Sequence, residues 1–536
     1  VVKLNLNSLQ EKANWQDRGF ELPQYDVKEI RNNTIQNPTW VHFGAGNIFR
    51  AYQARLNQEL LNRGYTDTGL IAIEGYDTEI IPKVYAPYDN LSIVVILKAD
   101  GDFEKHVLGN VAEALDMQSA DYQRVIEVFS KPSLQMISFS ITEKGYNIKN
   151  NQGDYIAQVR KDIKEGPNKA KSYMGKISAL LHKRFLEGAY PISLVSMDNI
   201  SKNGSILKRN VIGIAEEWEK RDSVSRAFVN YIKDESQVSF PWTMIDKITP
   251  YPDRNIQKML EKDGIENMDL VVTSSHTTTA PYVNTEELEY LVIEDNFPNG
   301  RPPLEKVGVI FTDQETVHKV ETMKVTTCLN PLHTSLAIFG SLLGFTSISE
   351  EMKDQDLRGF VTKMAYEEAL PVVEDPKIID PKVFLEEVLL RFSNPYIPDT
   401  PQRIATDTSQ LMAIRFGKTI QSYVEREDKD VRTLDFIPLV IAGWCRYLMG
   451  VDDNGNVFDI SPDPLLNDLR PHLKNLKVGN KGNVTEQLRP ILSRSEIFGV
   501  DLYKIGLNIT IEKHFEKMIK EYGAVRKTIQ SVLTES

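Results

Sequence analysis

The chain has 536 residues, 41% apolar and 26% charged, with a formal net charge of −12. That balance is typical of a globular enzyme of two or three domains, and it disfavours nucleic acid or an anionic membrane surface as partner. The only two cysteines, Cys328 and Cys445, form no CxxC or Cys/His cluster, so no disulfide framework and no metal site are expected, and a reducing cytoplasm is the expected compartment. No run of about 18 apolar residues is present, so no membrane span is expected, and the opening "VVKLNLNSLQEKANW" lacks the apolar core of a signal peptide.

In chain order, "PTWVHFGAG" reads as a buried strand ending in a glycine turn. "IFRAYQARLNQELLNRG" follows as a helix with Ile48, Tyr52, Leu56 and Leu60 on one face and Gly64 as its cap. "GLIAIEG" (69–75) and "LSIVVILKAD" (91–100) read as further strands, and "HVLGNVAEAL" continues the domain. "DYQRVIEVFSKPSLQMISFSIT" reads as helix, turn and strand, and "ISLVSMDN" (192–199) as a strand. "GIAEEWEK" reads as helix and "MDLVVTSS" (268–275) as a last strand. Alternating strands and helices predict a mostly parallel, doubly wound sheet. Beyond about residue 310, long amphipathic runs dominate: 333–346, 356–372, 381–393, 408–426, 433–449 and 508–534. The expected division is residues 1–310 as an α/β Rossmann-type domain and 311–536 as a mostly helical domain, with the turn-rich "NFPNGRPPLEK" (296–306) near the join.

Two stretches carry candidate chemistry. The first is the strand–turn–helix "WVHFGAGNIFRAYQ", with Gly44 and Gly46 in the turn and Phe49 where a third fingerprint glycine would stand. Such a turn lets backbone amides approach a pyrophosphate, which the helix N-terminus favours electrostatically. Asn47, Ile48 and Arg50 open the helix. Glu74 and Asp77, 28 and 31 residues past Gly46, stand where carboxylates accept ribose hydroxyls and repel a 2′-phosphate, which favours NAD over NADP. A tight loop beside a surface acid would read the same way.

The second is "ETMKVTTCLNPLHTSLAIFG". Glu321 and Lys324 share a helical face, as do Asn330 and His333. A desolvated lysine can serve as general base, and an amide can donate to a developing oxyanion. The same spacing also suits a surface ion pair, an N-cap asparagine and a core histidine.

With these stretches, the blocks "SFSITEKGY", "SMDNISKNG", "FPWTMIDKITP", "GRPPLEKVGVIF" and "RIATDTSQ" complete a pattern that resembles the mannitol dehydrogenase family of polyol-specific long-chain dehydrogenases. The resemblance spans nearly the whole chain. It implies an expanded Rossmann domain followed by a mostly helical one, an active site in the cleft between them, NAD(P) as cofactor, here NAD by the carboxylate argument above, and no catalytic metal. The family's cofactor turn, Gly-x-Gly-x-x-x-Arg-Ala, falls on Gly44, Gly46, Arg50 and Ala51. The general-base lysine falls on Lys324 and its neighbouring acid on Glu321. The oxyanion-binding asparagines fall on Asn199 and Asn330, and the substrate-orienting histidine on His333. Asp246 and Arg403 match substrate-side residues, and Asn203 is a second candidate in the "DNISKNG" block.

Five residues separate Lys324 from Asn330 where mannitol-oxidising members have four, and Thr406 and Leu411 replace a His and a Lys. The substrate is therefore expected to differ from mannitol. The likeness implies NAD-dependent, reversible reduction of D-fructuronate to D-mannonate, with a small sugar acid or polyol as the only partner. Tagaturonate reduction and mannitol or arabinitol 2-dehydrogenation are alternatives, and an NAD-binding sensor without catalysis is the non-enzyme alternative.

Overall fold

The computed structural model describes residues 1–480 and 482–535. The chain divides into two compact units, Val1–His318 and Lys319–Ser536.

The first unit is built on a six-stranded, wholly parallel sheet. Its strands are β1 (Trp40–Phe43), β2 (Leu70–Glu74), β3 (Val111–Asp116), β4 (Met136–Phe139), β5 (Ile192–Ser196) and β6 (Val238–Ser239). Their spatial order is β6-β5-β4-β1-β2-β3, the doubly wound order whose switch point lies between β1 and β4. Alternation along the strands feeds two cores. Val41, Phe43, Ile71, Ile73, Ile137 and Phe139 pack with Val125, Ile177 and Leu207 of the helices Tyr122–Phe129, Tyr173–Gly188 and Asn203–Glu219. Trp40, Leu70, Ala72 and Met136 pack instead with Tyr52, Leu56 and Leu60 of the helix that follows β1. That helix ends where Gly64 takes φ +70°.

Two strands read from the sequence belong elsewhere. Ser92–Leu97 pairs antiparallel with Phe103–Leu108 and parallel with Tyr282–Glu286, in a separate four-stranded sheet. The reason is the short connection: Gly101 at φ +92° and the Lys98 N–H to Asp102 carbonyl bond close a hairpin, and a parallel neighbour would need a long crossover. In "MDLVVTSS" only Val271–Val272 forms a strand, paired antiparallel with Thr278–Thr279. The polar turn between them, with His276 at φ +63°, stops the ladder after two residues.

The second unit is helical, with Asn330–Leu343, Gln355–Lys363, Pro381–Phe392, Lys418–Glu425 and Phe436–Tyr447 prominent. The run 508–534 is two helices, Asn508–Met518 and Ala524–Glu535, because Gly523 adopts φ +82° between them. Five turns among the described residues are π-helical: Phe49–Ala54, Ile81–Tyr85, Lys324–Cys328, Met364–Ala369 and Ala413–Gly417. No described helix is long and apolar enough to cross a membrane.

Candidate active site

In the first unit the turn after β1 is built by glycine. Gly44 takes φ +103°, and a Cβ there would lie 2.2 Å from the Ser140 carbonyl oxygen at the end of β4. Its N–H donates to the Ile73 carbonyl, and the Ser140 N–H to that of Phe43, so the turn lies at the switch point. A Cβ on Gly46 would meet nothing within 4 Å. The helix starts at Asn47, and its first N–H groups have no intrahelical acceptor. A cradle with one glycine forced by the backbone, one open on its outer side and a helix N-terminus behind them fits a dinucleotide pyrophosphate.

The side chains around this turn differ from the expectation. Glu74 is buried, and its carboxylate accepts the N–H groups of Ala45, Gly75, Tyr76 and Asp77. Burial raises its pKa against those four donors. Asp77 is also buried and accepts the Thr273 hydroxyl. Both carboxylates are thus committed inside the protein instead of being presented to a ribose, and Glu74 holds the turn from within. Arg50 is fully buried and donates to the Ala280 carbonyl (2.6 Å), Thr279 Oγ1 (2.8 Å) and Asn47 Oδ1 (3.0 Å). With Asn47 Nδ2 bonded to the Thr278 carbonyl, this pair ties the helix to segment 278–280. Ile48 packs on the core beneath the helix.

A buried chain of hydrogen bonds runs under the same turn. Trp40 Nε1 lies 2.7 Å from Ser138 Oγ, which lies 2.6 Å from His42 Nδ1, and His42 Nε2 lies 2.7 Å from Ser140 Oγ. The indole can only donate, so Ser138 Oγ accepts from it, and each ring nitrogen of His42 has a serine hydroxyl as its partner. Burial drops the His42 pKa to about 3, which keeps the ring neutral.

Beyond β5, Asn199 is exposed and Asn203 is buried. Asn203 Nδ2 donates to Thr243 Oγ1 and the Ser196 and Asp198 carbonyls, while Oδ1 accepts the N–H groups of Thr243 and Gly204. Its amide is used up in clamping two segments, which is not the substrate role read from the sequence. Asp246 is buried at the end of the strand Thr243–Asp246. Sequence reasoning passed over its neighbour Lys247, whose ammonium donates to the Glu286 carbonyl and lies 2.9 Å from Glu289. Burial lowers the pKa of that lysine, with Glu289 opposing.

In the second unit, Lys324 opens the π turn Lys324–Cys328 and is 4% exposed. A π turn takes one residue more than an α turn, so the extra residue before Asn330 is held within the helix itself. Glu321 is half-buried on the helix Gln314–Met323 that leads into the turn. In the same π turn Cys328 is buried, its thiol pushed up to about 12 by desolvation, which makes it unreactive. Asn330 starts the helix Asn330–Leu343, with Pro331 in its first turn. Its Oδ1 is buried and has no hydrogen-bond partner among the described residues. One turn on, His333 stacks on Phe392 at 4.9 Å and places Nε2 3.2 Å from Asp399 Oδ2. Burial lowers the His333 pKa, and Asp399 works against that shift. The same carboxylate binds Arg403 through Nε at 2.7 Å, so this arginine, expected on the substrate, is engaged by Asp399. Asp399 is a residue the sequence reading missed. Its spacing of four from Arg403 was the available signal.

Residues 38–306 match the model of the mannitol dehydrogenase Rossmann domain, and residues 316–519 that of the mannitol dehydrogenase C-terminal domain. The chain is 52% identical over 537 residues to the D-mannonate oxidoreductase of Thermotoga maritima, covering 99% of both chains. It is 28% identical to the D-mannonate oxidoreductase of Escherichia coli, over 88% of this chain and 93% of that one. Among solved structures, Pseudomonas fluorescens mannitol 2-dehydrogenase in ternary complex with NAD and D-mannitol superposes with a TM-score of 0.70 at 26% identity, over 100% of both chains. With both family domains matched in order along the chain, the protein belongs to the mannitol dehydrogenase family.

Proposed function

We propose that this protein is an NAD-dependent oxidoreductase that interconverts D-fructuronate and D-mannonate. The observation that carries this reading is the 52% identity, over 99% of both chains, to a D-mannonate oxidoreductase. The backbone of the Gly44–Gly46 turn and the helix N-terminus behind it would hold the pyrophosphate. NAD(H), when bound, supplies or accepts the hydride. Lys324 holds the proton that goes to the substrate oxygen on reduction and takes it back on oxidation. Asn199 and Asn330 donate amide hydrogen bonds to that oxygen as its charge grows. His333, fixed by Asp399, orients a neighbouring hydroxyl. Glu321, one turn before Lys324, assists proton exchange with solvent. The cytoplasm is the compartment we propose, where the buried free thiols of Cys328 and Cys445 stay reduced.

NADH oxidation in the presence of fructuronate, tagaturonate and fructose tests the proposal. Fructuronate is expected to give the highest kcat/KM, by at least about tenfold, equivalent to about 1.4 kcal/mol of transition-state preference. A higher value for tagaturonate or fructose would overturn it.

A further inference from the structure

The second unit holds a guanidinium that the roles assigned so far leave unused. Arg415 lies in the π turn Ala413–Gly417 and donates from Nη1 to Thr334 Oγ1 at 2.6 Å. Thr334 follows His333 directly and lies one helical turn beyond Asn330. The Arg415 charge also reaches His333, where it opposes protonation. No carboxylate among the described residues hydrogen-bonds or ion-pairs with Arg415. Burial lowers its pKa to about 10, with no acidic neighbour to restore it.

Arg403 presents the opposite case. Its side chain is 68% exposed, and Asp399 neutralises it. Arg415 is half-buried, and a cation drawn partly out of water without a counter-charge is costly to keep, while one exposed and paired is not. The neutral Thr334 hydroxyl fixes one corner of the Arg415 fork without cancelling its charge. The rest of the fork has the planar donor geometry that matches a carboxylate.

We infer that Arg415 is the carboxylate anchor of the site, the residue that makes a sugar acid a better substrate than a neutral ketose. This rests on the sugar-acid reading above and assigns its charge recognition to one side chain. It also moves that role away from Arg403, whose guanidinium Asp399 already occupies.

The test compares D-fructuronate with D-fructose, its uncharged counterpart, in the full-length enzyme with NADH. The readout is the ratio of the two kcat/KM values in wild type, Arg415→Gln and Arg415→Lys. Removing one partner of a desolvated charge pair costs affinity steeply, so the ratio should fall at least about thirtyfold in Arg415→Gln. It should recover in part in Arg415→Lys, which restores the charge but not the fork. A folding defect would depress both substrates together and leave the ratio where it was. Equilibrium binding of D-mannonate and D-mannitol to the NAD-saturated enzyme repeats the comparison without turnover. A ratio unchanged by Arg415→Gln overturns the assignment while leaving the sugar-acid reading intact. A wild-type enzyme that fails to reduce fructuronate overturns that reading, and the anchor with it.

Discussion

Asp399 holds His333 and Arg403 with one carboxylate, Oδ2 facing the imidazole and Oδ1 the guanidinium. The three residues lie far apart in the chain or a turn apart on it, yet they form one charged unit. Because the carboxylate lifts a His333 pKa that burial pulls down, Asp399→Asn removes that support. The limb of the pH profile that His333 sets should move to lower pH, and kcat/KM for the keto-uronate should drop. A lost buried hydrogen bond to a charged group costs about 1.5–3 kcal/mol, or roughly ten- to hundredfold. A kcat/KM profile across pH for the variant checks both. An unmoved limb would show that His333 does not report on the reaction.

Lys324→Ala should remove most of the turnover and spare NADH binding, since the cofactor turn belongs to the first unit. General acid–base groups contribute roughly 100- to 10,000-fold. Stopped-flow NADH titration and steady-state kcat, with and without an added small primary amine, measure the two effects. Retention of more than about a tenth of wild-type kcat, a loss under about 1.4 kcal/mol, would assign the proton to another group.

Gly44→Ala should damage fold and cofactor binding together. The new Cβ meets a carbonyl oxygen at 2.2 Å, and the backbone sits at φ +103°. Strain of this kind costs on the order of 1–3 kcal/mol before the clash is counted. Gly46→Ala, with nothing within 4 Å of its Cβ, should fold normally and lose NADH affinity alone. Thermal unfolding and NADH titration of the two variants separate them; equal Tm losses would contradict the geometry.

His42 predicts a stability that declines in acid. In the unfolded chain its imidazole protonates near 6.5, while in the folded protein the pKa is about 3. Between those values the unfolded state binds the extra proton, so stability falls as pH falls. The slope from this residue is up to about 1.4 kcal/mol per pH unit, levelling below about pH 3. Urea denaturation at a series of pH values should show a shallower decline for His42→Asn than for wild type. Identical slopes would mean that the buried ring takes up its proton as readily as the unfolded one.

What the sequence could convey depended on whether a feature is written in local spacing. Val41 and Phe43 against Trp40 and His42 already announce two buried sheet faces. Gly44 announces a turn that no other residue can make. The hairpin Ser92–Leu97 with Phe103–Leu108 looks like any buried strand, because its partners are decided by a five-residue connection and not by its own pattern. Glu74 shows the same limit at the site. Its position after β2 matches a ribose-binding carboxylate, but the sequence carries no sign that four backbone N–H groups of the chain claim it first. Asn203 and Arg50 meet the same limit, since their partners within the protein are set by the fold, and Arg415 was overlooked because its lack of a counter-charge exists only in three dimensions.

The π turns have a consequence for how such a site changes over generations. Each is a helix carrying one residue more than its α register, and three of them bear Arg50, Lys324 and Arg415. Successive α-helical residues are about 100° apart. Deleting one codon within Lys324–Cys328 would return that turn to α geometry and swing Lys324 by about that angle relative to Asn330, with the helices on either side kept whole. Single-codon insertions and deletions thus act as a rotary adjustment on the position of individual side chains. A lineage that gained or lost one residue at these turns would re-aim a lysine or an arginine without rebuilding its core.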